Sequence, residues 1–217
     1  MRPRGLDPAG LVLVDKPAGP SSFAIVRDLR DRTGARAGHA GTLDPFATGL
    51  LLVLLGRFTK EQNRFMRLGK RYLAEVDLTR TTTTGDLEGE AVEEHAAPAR
   101  ERLEELLAPL RGEVELRIPA ASAVKVGGER AYRLHRRGIE VNMPVRRSTV
   151  HSLELLSYDG EVATLDLLVG SGTYVRSIAG ELGGHCRSLR RTEIGPFRVE
   201  DADPARIVPP EEALAAL

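Results

Sequence analysis

Tryptophan is absent from this 217-residue chain, aromatic residues make up only 4% of it, and there is a single cysteine, Cys186. One cysteine excludes an intramolecular disulfide framework and a Cys-x-x-Cys zinc site, and it points to a reducing, cytoplasmic setting. Long hydrophobic runs are missing too. The longest purely aliphatic stretch, Leu50 to Leu55, is far too short to span a bilayer. The opening Met1-Arg-Pro-Arg-Gly-Leu-Asp-Pro has no apolar signal core. The expectation is therefore neither secretion nor a membrane. With so few aromatics, Leu, Val, Ile and Ala must fill the interior, and a hydrophobic content of 41% is enough for them to do so.

Familiar enzyme signatures are also lacking. There is no Gly-x-x-x-x-Gly-Lys-Ser/Thr phosphate loop, no Gly-x-Gly-x-x-Gly, no Gly-x-Ser-x-Gly and no His-Glu-x-x-His. The five histidines stand apart, so any metal site would have to be assembled from distant residues. The chain has no formal net charge, with 31 Lys+Arg against 31 Asp+Glu. That balance argues at first against a nucleic-acid ligand, yet the charges are segregated. Arg57–Arg71 and Lys125–Arg147 are strongly basic, whereas Glu75–Glu105 is strongly acidic. Two such basic segments can follow phosphates even on a neutral protein.

What is present reads as one α+β domain over residues 1–217. Gly10 to Asp15 predicts a buried strand, followed by a Pro/Gly turn and by Ser21 and Ser22 capping a helix from about Phe23 to Thr33. Leu50 to Leu55 predicts a central strand, and Phe58, Phe65 and Met66 mark a helix leading to Gly69. Tyr72 to Leu78 alternates as a strand should, Thr79 to Glu94 reads as an exposed loop, and Pro98 to Leu110 as a helix. Ala123 to Val126 and Gly127-Gly128 suggest a strand and a tight turn before an arginine-studded helix near Tyr132 to Arg137. Ser148 to Leu156 and Val162 to Val169 are further strands, Ser171 opens a turn-to-helix element through Leu182, Phe197 to Val199 is an edge strand, and Pro209 opens a closing helix. Strands and helices mixed at irregular intervals favour α+β over a doubly wound sheet.

One stretch carries the chemistry: Gly38-His-Ala-Gly-Thr-Leu-Asp44-Pro-Phe-Ala-Thr-Gly49. It sets a carboxylate, Asp44, in a glycine-spaced segment that runs straight into the apolar block. Glycines allow close approach of another molecule, and the following proline biases Asp44 away from helical geometry. Two readings are open on these residues alone: a nucleophile or general base, or the cap of a short helix beginning at Pro45.

Taken with Asp15-Lys-Pro-Ala-Gly-Pro-Ser-Ser22, this block closely resembles the bacterial tRNA pseudouridine-55 synthases of the TruB type. Lys70-Arg-Tyr72, Gly85-Asp86-Leu-Glu-Gly89, Ser122-Ala-Val-Lys125, Gly138-Ile-Glu-Val141, Gly172-Thr-Tyr-Val-Arg176 and Leu189-Arg-Arg-Thr192 follow in the family's order, so the likeness runs from about Gly10 to Val199. The resemblance implies a mixed, largely antiparallel sheet flanked by helices, and isomerisation of a T-loop uridine at position 55 without cofactor or metal. It implies tRNA, through its T arm, as the partner of a cytoplasmic monomer with no obligate protein partner.

By the same resemblance Asp44 is the catalytic aspartate, attacking either ribose or uracil. Tyr72 stacks on the target base, and Arg176 pairs with the aspartate and orients it. His39 enters the space left by the flipped base. Lys16, Lys60, Lys125, Arg133, Arg136 and Arg137 are expected phosphate contacts, and Tyr174 either walls the pocket or packs beneath it. Thr83 stands where the family usually has aspartate and Met143 where it often has arginine, and both are expected to weaken an RNA contact or loop bond. Relatives commonly continue into a small C-terminal RNA-binding domain. None is evident here: either the catalytic domain docks tRNA alone, which leaves more of the binding to the basic segments, or the chain is a shortened piece of a longer protein. A non-catalytic RNA binder and an aspartate-dependent hydrolase are the competing classes, opposed respectively by retention of Asp44, Tyr72 and Arg176 and by the missing second carboxylate.

Overall fold

A computed structural model describes residues 8–217; the first seven, part of the stretch read above for a signal core, lie outside the described residues. In chain order the elements begin with β1 (Gly10–Lys16), α1 (Ser22–Thr33), β2 (Ala37–His39), β3 (Thr48–Leu55), α2 (Gln62–Met66) and β4 (Lys70–Asp77). They continue with β5 (Arg80–Thr82), β6 (Ala91–Glu94), α3 (Arg100–Leu107), β7 (Gly112–Arg117), β8 (Lys125–Val126), β9 (Glu129–Arg130) and α4 (Ala131–Arg136). The last are β10 (Val145–Tyr158), β11 (Val162–Val169), α5 (Val175–Glu181), β12 (His185–Ile194), β13 (Phe197–Arg198) and α6 (Pro210–Ala215). The class is α+β with mixed, largely antiparallel strands and flanking helices. Among the described residues no helix is long and apolar enough to cross a membrane.

The chain packs as two compact units, one made of residues up to Tyr72 with Arg190–Leu217, the other of Leu73–Leu189. In the first, β1 and β3 are antiparallel from Gly10↔Leu55 to Lys16↔Gly49. The far edge of β3 takes β2 antiparallel at Val53 to Leu55 and the end of β12 parallel at Thr48 and Gly49. One face of β3, with Leu50, Leu52 and Leu54, packs against Leu11, Leu13, Phe58, Phe65, Ile194 and Phe197. Its other face, with Leu51, Val53 and Leu55, packs against Val26 and Leu29 of α1. A strand covered on both sides has no polar face to alternate with, which is why this segment reads as an unbroken aliphatic run. Ser21 caps α1 by accepting from the Ala24 N–H at 3.2 Å.

In the second unit β11, β10 and β7 form an antiparallel set with the end of β4 beside β11. Here one face is solvated. Ala163, Leu165, Leu167 and Val169 point inward along β11 while their neighbours are half-buried. Two expectations change. Thr79–Glu94 is a hairpin of β5 and β6 rather than an open loop, with the closing turn ordered by Asp86, whose Oδ1 accepts from Thr84 Oγ1 at 2.6 Å and from the Glu88 N–H at 3.1 Å. Met143 is a buried packing residue with Ile118 and Ala131, so its position answers to a small apolar cluster and not to an exposed RNA contact. Strands β7 and β12 have no counterpart in the sequence reading.

Gly49 sits where β3 meets β12 and has φ +100°, and a Cβ there would lie 2.2 Å from the Arg191 carbonyl oxygen. Both the left-handed backbone and the close approach demand glycine. Gly49→Ala should lower stability by more than about 2 kcal/mol, read as a shift of the urea midpoint at unchanged slope.

Candidate active site

Asp44 lies in the connection between β2 and β3, half-buried, in a segment that is neither helix nor strand. The capping alternative fails. No helix starts at Pro45; the chain bends instead, with the Ala47 N–H donating to the Asp44 carbonyl at 3.2 Å. The segment is fixed from several sides within the first unit. The buried Ser22 hydroxyl donates to the Leu43 carbonyl at 2.8 Å and accepts from the Leu43 N–H at 2.7 Å, so one side chain satisfies both main-chain groups next to Asp44. On the other side, the Pro45 carbonyl accepts from the Gly19 N–H at 2.8 Å and from Lys16 Nζ at 3.1 Å.

Arg191, 1% exposed, holds the start of the same segment. Its Nε donates to the Leu50 carbonyl at 2.7 Å, and its two terminal nitrogens donate to Gly41 at 3.1 Å and Thr42 at 3.4 Å. Neighbouring Arg190 points the opposite way along β12, to a bidentate pair with Asp15 at 2.8 and 3.0 Å. Sequence reasoning missed Arg191. The available signal was the Leu189-Arg-Arg-Thr192 block, which was quoted for the resemblance without a role.

Lys16 needs correction as a phosphate contact. It is fully buried, and its ammonium donates to the carbonyls of Pro17, Pro20 and Pro45 at 2.8, 2.9 and 3.1 Å, which uses all three donors. Burial pulls its pKa below the ordinary value, opposed by the nearby Asp44 charge and reinforced by Arg191. Lys70 is another buried cation of the basic segments, donating to the Met66 and Leu68 carbonyls at 2.9 and 2.6 Å. Burial first, and then Arg191, push its pKa down to about 8. His39, at the end of β2, is half-buried, and its buried Nδ1 has no partner. Burial and then Arg191 lower its pKa, so the imidazole is neutral at pH 7.

Tyr72 is 7% exposed and shares the inward face of β4 with Lys70. Lys60 is exposed on the 3-10 turn after β3. In the second unit Arg176 is buried, 3% exposed. Its guanidinium donates to the Thr84 and Ala121 carbonyls at 2.6 and 2.9 Å and lies 3.4 Å from the Asp86 carboxylate, itself buried. Asp86 is thus a second residue that the sequence reading did not single out. Lys125, Arg133, Arg136 and Arg137 are exposed; the Arg133 and Arg136 guanidiniums each lie 5.9 Å from the Tyr132 ring, and Arg137 pairs with Glu129 at 2.8 Å. Tyr174 is partly buried and packs against the Ile118, Ala131 and Met143 cluster. Among the described residues no group of three or more His, Cys, Asp or Glu side chains could hold a metal ion.

Residues 29–175 match the N-terminal domain of the TruB family pseudouridylate synthases. The chain belongs to this family. It is 44% identical to the tRNA pseudouridine synthase B of Corynebacterium aurimucosum over 92% of its own length and 71% of that protein's. It is 40% identical to the protein of the same name from Bordetella avium, over 92% of this chain and 86% of that one. Among solved structures it resembles a chain of a Cbf5-Nop10-Gar1 complex, with a TM-score of 0.67 and 28% identity over 87% of this chain. It spans about half the length of that larger chain.

Two predictions follow from the clamp and its buried cations. Ser22→Ala strands the Leu43 N–H and carbonyl inside the protein and should cost about 2 kcal/mol, measured by denaturant unfolding. For Lys70, the folded-state pKa lies below 10.5, so between about pH 8 and 10.5 the unfolded chain holds more protons. Stability should therefore rise with pH through that window as the cost of a buried ammonium is relieved, and Lys70→Met should flatten part of the rise in melting temperature.

Proposed function

We propose that this chain converts uridine 55 in the T loop of tRNA to pseudouridine, with Asp44 as the nucleophile. The observation that carries the proposal is a half-buried carboxylate held on a non-helical segment whose backbone is tied down on both sides by Ser22, Lys16 and Arg191. The names of the 40–44% identical relatives support tRNA as the substrate.

The reaction breaks the bond from ribose C1′ to uracil N1, turns the base, joins C1′ to C5 and removes the C5 proton while N1 gains one, so the mass is unchanged. A carboxylate can attack C1′ or a ring carbon, and in either route it is regenerated when the new bond has formed. A fixed backbone places the attacking oxygen without a loss of freedom at the moment of reaction. The target base has to leave the T-loop stack to be reached. In this proposal Tyr72 supplies the stacking face for the extruded uracil, and His39, half-buried and with its imidazolium form disfavoured, is the group that fills the vacated space. The assignment of Arg176 to the catalytic carboxylate comes from the family resemblance; within its own unit the guanidinium ties the 84–86 turn to Ala121. Exposed Lys60, Lys125, Arg133 and Arg136 are the proposed phosphate contacts. The compartment proposed is the cytoplasm, where a lone buried thiol such as Cys186 stays reduced.

Asp44→Asn keeps the size and the backbone ties of the residue and removes the nucleophile. Unmodified tRNA incubated with this variant should show pseudouridine formation lowered by about three orders of magnitude or more, with tRNA affinity retained. Wild-type rates of isomerisation at position 55 by the variant would remove Asp44 from the chemistry.

A further inference from the structure

We propose that Arg146 binds a backbone phosphate of the substrate RNA, held ready for it by the glycine turn at Gly172. This deepens the functional reading above and rests on it for the identity of the RNA. Arg146 lies on β10 opposite Leu116 of β7, and strand alternation places it on the same face as Ser148 and Val150, both buried. Arg146 itself is exposed. It is thus the outermost member of an inward-facing row, with its stem directed over protein and its head in water.

The head has a defined seat. A Cβ on Gly172 would fall 2.6, 2.7 and 2.8 Å from Nη2, Cζ and Nη1 of Arg146, so three atoms of the guanidinium lie directly against the glycine, where any side chain would displace them. Gly172 has φ +83°, and its turn leads into α5, which carries Arg176. What separates Arg146 from the other arginines nearby is the fate of its donors. Arg117 donates to Asn142 and to the Met143 carbonyl, Arg137 to Glu129, and Arg176 to two carbonyls beside Asp86. Among the described residues no carbonyl or carboxylate accepts from Arg146. Its guanidinium rests against the Gly172 turn, and among the described residues its N–H groups stay uncommitted.

A planar, always-charged fork of that kind suits a two-oxygen anion. In an RNA-modifying family that anion is a phosphodiester, which positions the strand without reading its sequence.

The test compares wild type, Arg146→Gln and Arg146→Lys by binding to a T-arm RNA across a series of salt concentrations, and by single-turnover isomerisation at saturating protein. Arg146→Gln should bind about tenfold more weakly at moderate salt, and its plot of log affinity against log salt should be shallower by about one phosphate's worth, roughly 0.7 to 0.9. Its rate at saturation should match wild type, and Arg146→Lys should keep the wild-type slope. A Gln variant with unchanged affinity and slope would overturn the proposal, as would one that loses rate at saturation while keeping its slope. Should the wild-type protein ignore the T arm and convert another RNA, the substrate named above is wrong, and the same salt comparison on that RNA decides Arg146.

Discussion

A buried guanidinium satisfied by main-chain carbonyls fixes the segment of the first unit that carries Asp44. Arg191 reaches from β12 to Leu50 on β3 and to Gly41 and Thr42 at the start of the Asp44 segment. Moving such an ion out of water costs several kcal/mol, and each charge-assisted bond returns about 1.5 to 3 kcal/mol. Three carbonyl acceptors therefore make the burial tolerable and, in return, lose much of their freedom. Gly49 belongs to the same device. It lets the β12 backbone approach β3 closely enough for the guanidinium to reach across, and a methyl group at that position would prevent it.

Much of this was legible in the sequence, and the exceptions have a common physical cause. β1, α1, β3 and β11 follow from apolar patterning because their buried faces are aliphatic. Strand β12 escaped because its inward positions include His185 and Arg191, so an inside face reads as a polar one. The hairpin of β5 and β6 escaped for a related reason. All of β6 is exposed, and what orders the turn is the carboxylate of Asp86, accepting from Thr84 and Glu88 and set beside Arg176, rather than an apolar stripe. Lys16 was misread in the opposite sense, since a lysine next to a Pro/Gly turn is ordinarily solvated, and three carbonyls brought together by that turn reverse the expectation. The Asp44 block itself was found from its glycine spacing, but the ties that hold it come from Ser22 and Arg191, far away along the chain. No local pattern could disclose them.

The two buried arginines illustrate different solutions to one problem. Arg176 has a carboxylate, Asp86, within 3.4 Å, and both side chains are almost wholly buried. Much of its charge is offset on the spot, and breaking a pair of this kind typically costs 3 to 5 kcal/mol. Arg191 is held by carbonyls, which supply hydrogen bonds without cancelling charge. Its field consequently persists, and three neighbours register it: Lys16, His39 and Lys70 all have their charged forms disfavoured by Arg191 on top of their own burial. Lys70 and His39 shed their protons more readily than they would in water, which limits the accumulation of positive charge beneath the segment. The Asp44 charge acts on Lys16 in the opposite direction to burial and to Arg191, favouring the ammonium. An acid matched to Arg191 would hold the geometry equally well, but it would cancel the charge that acts on these neighbours. Holding the segment through carbonyls therefore serves two ends with one set of bonds: the backbone is fixed, and the electrostatic bias toward anions is left in place.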